Sequence, residues 1–375
     1  MIHAAERFES LSKHSFENGH MGITISSEPV LDMPSLISWK DSIVERLNKG
    51  VESLLKGAGV DLVRGWATFT GPKRCTVKTS EGDIEIEAEN VIIATGSSHI
   101  DLPFMPCDEV FILSSTVDLE LVSLHSNVDV VGGGYIGLEL GCALSKLGSE
   151  VTVIEGMDCV LGIFDKELRR PLEIWLKKHG VSIHTNSLAK SAEVKGRGAS
   201  KKVELSFEKD GELQSIKVDK VLVTVGRKPN TKDWGLETMG VRMDHSGRFI
   251  RIDRQCRTNV PGVFAIGDVS GEPMLAHKAS SQGEMVAEII SGLNREFDKI
   301  AIPAIVFTEP EIVSVGLMPD EAKERGEDII VGKFPLAANG RALTLEAEKT
   351  GGFIRVVARK ADHVILGIQA IGSHV

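Results

Sequence analysis

The sequence predicts an α/β fold in which parallel strands alternate with helices, followed by an α+β region in its last part. Three observations support this prediction. A strand, a glycine-rich turn, a helix and a second strand follow one another over residues 127–155. Three more short apolar strands begin at Val91, Val221 and Val263. From Ile302 onward, alternating β segments, a short helix and a final hairpin replace this pattern. Strands that alternate with helices are typical of parallel sheets.

Length, composition and charge indicate a multidomain globular protein. A chain of 375 residues is too long for a single hydrophobic core, and 42% hydrophobic with 26% charged residues is an ordinary composition. The net charge of −10 argues against nucleic acid or an anionic membrane surface as the main partner. Because the sequence shows no membrane-spanning apolar run and no signal-peptide core, we expect a cytoplasmic protein without a membrane partner.

The cysteines favour free thiols over a metal centre. Cys142 and Cys159 are the closest pair, and they are too far apart for a C-x-x-C or C-x-x-x-x-C motif. The remaining three are isolated, at positions 75, 107 and 256. We therefore expect reduced thiols and no bound metal.

The central unit is organised around three glycines. Val128 to Val131 is a mostly apolar, β-branched run, which predicts a strand of a parallel sheet. Gly132, Gly134 and Gly137 then form G-x-G-x-x-G, and a helical pattern follows until Gly148. These glycines permit a tight turn, close approach of the backbone to a pyrophosphate, and close packing of helix on strand. The helix N-terminus offers unpaired N–H groups to that anion.

An acidic residue at the end of the second strand indicates which nucleotide binds. Val151 to Ile154 is the predicted strand, and Glu155 follows it, roughly 20 residues after the first glycine. A carboxylate there accepts hydrogen bonds from both hydroxyls of an adenosine ribose and repels a 2′-phosphate. Gly156 comes next, where an arginine would favour that phosphate. We predict a dinucleotide site for NAD in preference to NADP, the alternative being a glycine-rich structural turn.

The first part of the chain predicts a helical cover and a small antiparallel sheet. A helix is expected over Ile2 to Phe8, and an amphipathic helix over Met33 to Gly57. A strand is predicted over Val60 to Phe69. Cys75 to Thr79 and Ile84 to Ala88 alternate around a turn and predict a hairpin.

The strands that begin at Val91, Val221 and Val263 predict a second nucleotide site. Each ends in a turn of small residues, and Asp268 follows Gly267 at the end of the third strand. Ligands of open parallel sheets bind at the carboxyl ends of the strands. Taken singly, each turn is better explained as a βα connection than as a ligand site. The three turns together with the glycine fingerprint indicate that a second nucleotide binds. Between the second fingerprint strand and Val221 we predict a helix over Asp165 to Lys178 and a β-meander over Val203 to Val218. A further helix is predicted after Asp268.

Five motifs in order carry a family resemblance over essentially the whole chain: VVGGGYIGLELG, VIIATGSS, VTVGRKPNT, VFAIGDVSGEPMLAHKA and FTEPEIVSVG. They resemble the flavoprotein disulfide reductases, which combine FAD, a nicotinamide cofactor and a redox-active cysteine pair. PMLAHKA, AANGRAL and LGIQAIGSHV are similar to the branch that oxidises dihydrolipoyl groups and passes the electrons to NAD. The resemblance implies a homodimer in the cytoplasm. It also implies a lipoyl-bearing acyltransferase of a 2-oxo acid dehydrogenase complex as partner, the branched-chain complex being one option.

The same resemblance implies two Rossmann-like domains and an incomplete α+β interface, or dimerisation, domain. The FAD-binding domain would comprise residues 1–118 and 251–298, with its first βαβ unit missing. The NAD-binding domain would comprise residues 119–250, and the interface domain residues 299–375 without its C-terminal part.

The resemblance also assigns cofactor-binding residues. Those expected to bind NAD are Gly132, Gly133, Gly134, Tyr135, Ile136, Gly137, Glu155 and Gly226. Those expected to bind FAD are Ala67, Ala94, Thr95, Gly96, Ser97, Asp268, Met274, Leu275, Ala276 and His277, with Asp268 on the ribitol chain.

Two further residues on the fingerprint helix are expected to support catalysis. Tyr135 matches an aromatic lid over the nicotinamide pocket in some relatives, although core packing explains it equally well. Glu139 matches a glutamate that pairs with a lysine beside the flavin, and we expect that lysine to lie before residue 1. The resemblance gives His277 a backbone role beside the flavin, not that of a base.

The sequence departs from the family at both ends, and we expect a fragment of a working enzyme. It shows no initial glycine fingerprint for FAD, no C-x-x-x-x-C pair and no distal H-P-x-x-x-E segment, whose histidine is the family's acid/base. No catalytic residue of the dithiol reaction is therefore expected among these residues. Two alternatives remain: another flavoprotein disulfide reductase, such as a mercuric or glutathione reductase or a transhydrogenase, or a non-catalytic NAD-binding remnant.

Overall fold

The computed structural model describes residues 1–12, 22–121, 123–347 and 351–375. The chain forms two compact units. Unit 1 comprises residues 1–44, 100–226 and 303–375, and unit 2 comprises residues 45–99 and 227–302. Across the described ranges, no helix combines the length and the apolar character that crossing a membrane requires.

Helices and strands alternate in the order that an α/β protein requires. The α-helices are α1 (Ile2–Ser12), α2 (Met33–Gly57), α3 (Ser115–Asp118), α4 (Tyr135–Leu147), α5 (Lys166–Lys178), α6 (Ala276–Ile290), α7 (Pro319–Glu324) and α8 (Gly340–Thr344). The first ten strands are β1 (Trp66–Gly71), β2 (Arg74–Thr79), β3 (Gly82–Glu87), β4 (Val91–Ile93), β5 (Ser97–His99), β6 (Ile112–Ser114), β7 (Asn127–Val131), β8 (Glu150–Ile154), β9 (Ser182–His184) and β10 (Ser187–Lys195). The other ten are β11 (Lys202–Lys209), β12 (Glu212–Val218), β13 (Lys220–Val223), β14 (Arg227–Pro229), β15 (Val263–Ala265), β16 (Ala304–Val306), β17 (Glu311–Gly316), β18 (Ile329–Pro335), β19 (Phe353–Arg359) and β20 (Ile365–Gly372). The predicted α/β class with a terminal α+β region is confirmed.

A five-stranded parallel sheet forms the centre of unit 1, with strand order β6-β13-β7-β8-β9. The two strands predicted on either side of the glycine fingerprint are β7 and β8, and the helix between them is α4. Val130 on one face packs with Leu138 of α4 and Leu172 of α5. On the other face, Val131 packs with Phe207 of the antiparallel meander β10-β11-β12. This layering leaves the carboxyl ends of the parallel strands at one edge.

The predicted elements of this region need two corrections. The helix predicted from Asp165 begins one residue later, because the Asp165 carboxylate accepts the N–H of Leu168 at 2.9 Å and so caps α5. The meander predicted from Val203 has an earlier first strand, β10, which pairs with β11. β6, an edge strand of the parallel sheet, falls within residues 1–118, which the sequence analysis assigns to the first domain. The proposed domain boundaries 118/119 and 250/251 remain a prediction.

The last part of unit 1 is an antiparallel sheet with strand order β16-β17-β20-β19-β18. The predicted short helix at Pro319 and the final hairpin are present as α7 and as β19 with β20. Arg355 of β19 is buried and binds the N-terminal turn of α5, where its Nη1 lies 3.0 Å from Glu167 Oε2 and its Nη2 contacts the Asp165 carboxylate.

Unit 2 contains three smaller sheets. The predicted hairpin is β2 with β3, and β1 pairs with β2. The strand predicted from Val60 begins only at Trp66, because β2 ends at Thr79 and leaves residues 60–65 without a partner strand. The strands predicted from Val91 and Val263 pair in parallel as β4 and β15. The predicted helix after Asp268 is α6.

A buried carboxylate interrupts the core of the parallel sheet. Asp129 in β7 is 0% exposed, and neither of its oxygens has a hydrogen-bond partner among the described residues. Burial raises the pKa of the Asp129 carboxyl to about 7. Because an unfolded Asp titrates near pH 4, the folded state retains a proton that the unfolded state loses between about pH 4 and pH 7. The contribution of Asp129 to stability therefore decreases as pH rises through that window.

Replacing Asp129 by valine is expected to stabilise the protein by about 2–3 kcal/mol at pH 8, because it removes an unpaired buried charge. The gain should shrink as the pH is lowered to 4. Chemical denaturation at both pH values measures it. Asp129→Asn, which stays polar, is the matched variant and should gain less. A loss of stability on Asp129→Val at pH 8 would contradict this interpretation.

Candidate nucleotide-binding sites

Two of the three fingerprint glycines of unit 1 leave no room for a side chain because backbone atoms approach them closely. A Cβ at Gly132, whose φ is +107°, would lie 2.6 Å from the carbonyl oxygen of Thr224. A Cβ at Gly137 would lie 2.2 Å from the carbonyl oxygen of Gly132 and 2.5 Å from Thr224 Oγ1. Both approaches are far closer than van der Waals contact allows. The two glycines therefore hold β7, α4 and the end of β13 in contact.

The N-terminus of α4 is open in front of this turn. Gly134 is the exposed N-cap residue, no side chain caps the helix there, and a Cβ on Gly134 would meet no atom within 4 Å. The helix has 13 residues, so its first turn carries unpaired N–H groups and positive partial charge. These features fit the pyrophosphate of a dinucleotide.

Glu155 lies beside the turn with its carboxylate fixed by two backbone groups. The N–H of Gly133 donates to Glu155 Oε2 at 2.6 Å, and the N–H of Met157 donates to Oε1 at 2.7 Å. Each carboxylate oxygen retains a further lone pair for a ribose hydroxyl. The carboxylate is thus held at the end of β8 before any ligand arrives.

The remaining residues predicted for NAD lie at the same edge of the sheet. Tyr135 and Ile136 begin α4, and both are partly buried against the hydrophobic core of the parallel sheet. For Tyr135, both a lid over the nicotinamide pocket and core packing therefore remain open. Gly226 follows β13 with φ +119°, and its carbonyl accepts the N–H of Ile100 at 3.1 Å.

Glu139 lies one turn further along α4. Its Oε1 accepts the backbone N–H of Phe307 at 2.8 Å. Burial raises the pKa of this carboxyl, and the hydrogen bond from Phe307 opposes that shift. The lysine partner expected from the resemblance remains a prediction.

Thr224 is a structural residue of this site that the sequence analysis missed. Its side chain is buried, and Oγ1 lies 3.1 Å from the carbonyl oxygen of Val131 and 3.0 Å from that of Gly132. The available signal was a small hydroxyl residue at the end of an apolar strand, in the motif VTVGRKPNT. That motif alone does not reveal that the hydroxyl joins the fingerprint turn.

In unit 2, the ends of β4 and β15 bring two groups of predicted FAD residues together. Ser97 Oγ donates to Asp268 Oδ2 at 2.5 Å. Thr95 Oγ1 donates to the carbonyl of Asn230 at 2.8 Å, and the Asn230 amide donates back to the carbonyl of Thr95 at 2.9 Å. Arg227 donates from Nε to Ser97 Oγ at 2.7 Å. Arg227 and Asn230 lie in the motif VTVGRKPNT, but the sequence analysis predicted no role for either residue.

The other predicted FAD residues occupy two places in unit 2. Leu275 is the N-cap of α6 without a side-chain cap, which again leaves a helix N-terminus able to face an anionic or electron-rich group. His277, in the first turn, is exposed. Ala67 lies in β1, which belongs to a different sheet of the unit. Met274 precedes the N-cap residue Leu275, and Ala276 is the first residue of α6.

The cysteines are free thiols and are poorly suited to nucleophilic chemistry. All five are unpaired. Burial raises the pKa of Cys142 to about 12 and that of Cys256 to about 11. Since the thiolate is the nucleophile in disulfide exchange, these buried thiols are inert at neutral pH.

Comparisons with known proteins agree with this geometry. A family model described as pyridine nucleotide-disulphide oxidoreductase matches residues 1–283, and one for the dimerisation domain of that family matches residues 302–375. Dihydrolipoyl dehydrogenase from Pseudomonas aeruginosa is 45% identical over 100% of this chain and 78% of its own length. The enzyme of the same name from Geobacillus stearothermophilus is 45% identical over 100% of this chain and 77% of its own length.

Solved structures give the same fold. LpdA from Mycobacterium tuberculosis superposes with a TM-score of 0.87 at 26% identity, covering 99% of this chain and 78% of that one. The flavoprotein disulfide reductase RclA from Escherichia coli superposes with a TM-score of 0.82 at 24% identity, covering 100% of this chain and 78% of that one.

The chain therefore belongs to the pyridine nucleotide-disulphide oxidoreductase family, an oxidoreductase family whose cofactors are FAD and NAD. Within that family, its matched relatives at 40–45% identity are dihydrolipoyl dehydrogenases. The predicted family and enzyme class are confirmed.

Proposed function

We propose that this chain serves the NAD-dependent oxidation of a protein-bound dihydrolipoyl group. The observation that carries the proposal is the Glu155 carboxylate, fixed by the N–H of Gly133 beside the open N-terminus of α4. That arrangement suits a dinucleotide with two free ribose hydroxyls. The relatives of this chain that act on dihydrolipoyl groups supply the substrate class.

We propose a definite task for each residue of the NAD half. The first turn of α4 would hold the pyrophosphate, and Glu155 would accept hydrogen bonds from the adenosine ribose. Tyr135 would cover the nicotinamide pocket and exclude water from it. The further NAD contacts we propose are Gly132, Gly133, Gly134, Ile136, Gly137 and Gly226.

In the FAD half, Asp268 would bind the ribitol chain and α6 would present its N-terminus to the flavin ring. FAD, when bound, supplies the electron relay between a dithiol and NAD. The network of Asp268, Ser97 and Arg227 fixes the acidic group before the cofactor arrives. The other proposed FAD contacts are Ala67, Ala94, Thr95, Gly96, Met274, Leu275, Ala276 and His277.

The dithiol chemistry requires groups that these 375 residues do not contain. Thiolate attack on a disulfide needs a reactive cysteine pair and a base, and the five cysteines of this sequence form no C-x-x-x-x-C pair. We assign the two nucleotide sites, and the supporting residues Tyr135 and Glu139, to this chain.

The dimerisation-domain match supports a homodimer. We propose a lipoyl-bearing acyltransferase of a 2-oxo acid dehydrogenase complex as the partner. The free thiols fit a reducing compartment, and we propose the cytoplasm.

The nucleotide half of the proposal is tested by electron transfer that needs no cysteine pair. The purified chain is titrated with FAD, and NADH-driven reduction of a dye is then compared with NADPH-driven reduction. We expect saturable flavin binding and dye reduction by NADH in clear preference to NADPH. Failure to bind flavin would overturn the FAD half, and equal rates with NADPH would overturn the assignment of Glu155.

Replacing Glu155 by alanine is expected to weaken NADH binding by about 1–3 kcal/mol, because ribose hydroxyls lose their acceptor. Titration calorimetry measures the change. Glu155→Gln keeps the size but loses the charge, so it should narrow the preference for NADH over NADPH.

Glu150→Gln, at the exposed opposite end of β8, is the matched control and should leave the affinity unchanged. Unaltered NADH affinity in Glu155→Ala would mean that the ribose lies elsewhere.

A further inference from the structure

Two buried polar side chains of α6 are explained by neither sheet packing nor the proposed cofactor contacts. Lys278 is 3% exposed and Gln282 is 1% exposed. They are four residues apart, so they lie on the same face of the helix. That face is turned towards the segment from Gly267 to Gly271, which follows β15.

The two side chains hold this segment at both ends. The N–H of Gly267 donates to Gln282 Oε1 at 2.8 Å. Lys278 Nζ donates to the carbonyl of Gly267 at 3.2 Å and also to the carbonyl of Gly271. Gly267 has φ +72°, and a Cβ there would lie 3.1 Å from the Cβ of Ala279, so the turn lies directly against the helix.

Asp268 is carried by this clamped turn. Its side chain points to Ser97, whose hydroxyl donates to Asp268 Oδ2 at 2.5 Å and accepts from Arg227 Nε at 2.7 Å. The backbone of Asp268 is therefore fixed by α6, and its carboxylate is fixed by the strand ends. A carboxylate held from both sides is preorganised for a ligand hydroxyl.

The filling of space alone does not explain the buried charge. Burying an ammonium is costly, and its pKa is lowered by burial. Its hydrogen-bond acceptors in the structure are two backbone carbonyls. An apolar side chain of similar length would fill the same space at lower cost, but it would leave both carbonyls of the turn unpaired.

We propose that Lys278 and Gln282 are positioning residues that fix the Gly267–Gly271 turn so that Asp268 meets the ribitol chain of FAD. The inference rests on the proposed assignment of FAD to unit 2. Because both side chains are buried against the turn, Lys278 and Gln282 would act through it and not by contact with the cofactor.

The test is a double-mutant cycle with FAD affinity as the readout, measured by quenching of flavin fluorescence. Lys278→Met and Gln282→Leu are each expected to weaken FAD binding about tenfold or more, the effect of leaving buried backbone groups unpaired. Asp268→Ala should weaken it as well. Lys278→Met added to Asp268→Ala should then cost little more, because the lysine acts through Asp268.

Three kinds of control make the result decisive. Lys278→Arg and Gln282→Glu keep a donor and an acceptor, and they should retain most of the affinity. Lys299→Met removes an exposed ammonium from the same unit and should change nothing. NADH affinity, which depends on unit 1, should be that of the wild type in every variant and so reports folding.

The outcomes separate the two proposals. A wild-type chain that binds no FAD would overturn the FAD assignment and this inference with it. If the wild type binds FAD while Lys278→Met binds it equally well, only the positioning role is overturned. Fully independent losses from Lys278→Met and Asp268→Ala would also overturn that role.

Discussion

Replacing Gly137 by alanine is expected to reduce NADH affinity by about 100-fold or more. The added methyl would lie 2.2 Å from the carbonyl oxygen of Gly132 and 2.5 Å from Thr224 Oγ1. Since the nearest atom belongs to the backbone, the clash can only be relieved by moving α4 away from the turn. That movement displaces the N–H groups that would hold the pyrophosphate. Calorimetric titration with NADH measures the loss.

The same helix provides the matched control for this prediction. Gly141 lies one turn further along α4, and a Cβ there would meet Val151 at 3.5 Å, an ordinary contact distance. Gly141→Ala should therefore bind NADH normally, and it should stabilise the helix by about 0.5–1 kcal/mol. If folded Gly137→Ala bound NADH within a factor of about three of the wild type, the fingerprint turn would not be the binding site.

Replacing Arg355 by alanine is expected to destabilise the protein by about 3–5 kcal/mol, because it leaves the fully buried Gln369 and the largely buried Asp165 without the guanidinium that they bind. Arg355 is 2% exposed and donates from Nε to Gln369 at 2.9 Å and from Nη1 to Glu167 at 3.0 Å. Burial would raise the pKa of Asp165, yet the adjacent guanidinium holds it below its usual value. Chemical denaturation measures the change in the free energy of unfolding.

Arg359, four residues further along β19, separates the effect of burial from that of charge. It also binds two carboxylates, those of Glu327 and Asp362, but its side chain is 35% exposed. Arg359→Ala should therefore cost much less than Arg355→Ala. Equal losses in the two variants would show that burial of Arg355 does not determine its contribution.

Most of the fingerprint unit was predictable because its determinants are local. Glycines at fixed spacing, β-branched runs and helix stop signals specified β7, α4 and β8 nearly to the residue. Gly148 ends α4 as predicted, and the structure shows it in the left-handed conformation. The error at Val60 has a non-local cause, since the start of β1 depends on where its partner β2 ends. Pairing partners are not visible in a single strand's sequence.

The residues that support the sites were harder to predict for the same reason. Thr224 and Arg227 follow one strand, but they contact turns that are 92 and 130 residues away in sequence. Lys278 and Gln282 look like ordinary polar positions of a surface helix, and their burial depends on the turn that packs over them. Asp129 lies between the valines of β7, so its lack of a partner is visible only in three dimensions.

The most direct test of the account is a comparison of NADH and NADPH binding by the purified wild-type chain. The fixed carboxylate of Glu155 predicts saturable binding of NADH, at least about tenfold tighter than that of NADPH, because a 2′-phosphate would meet a negative charge. Equal or tighter binding of NADPH, or no binding of either nucleotide by the folded chain, would contradict the account.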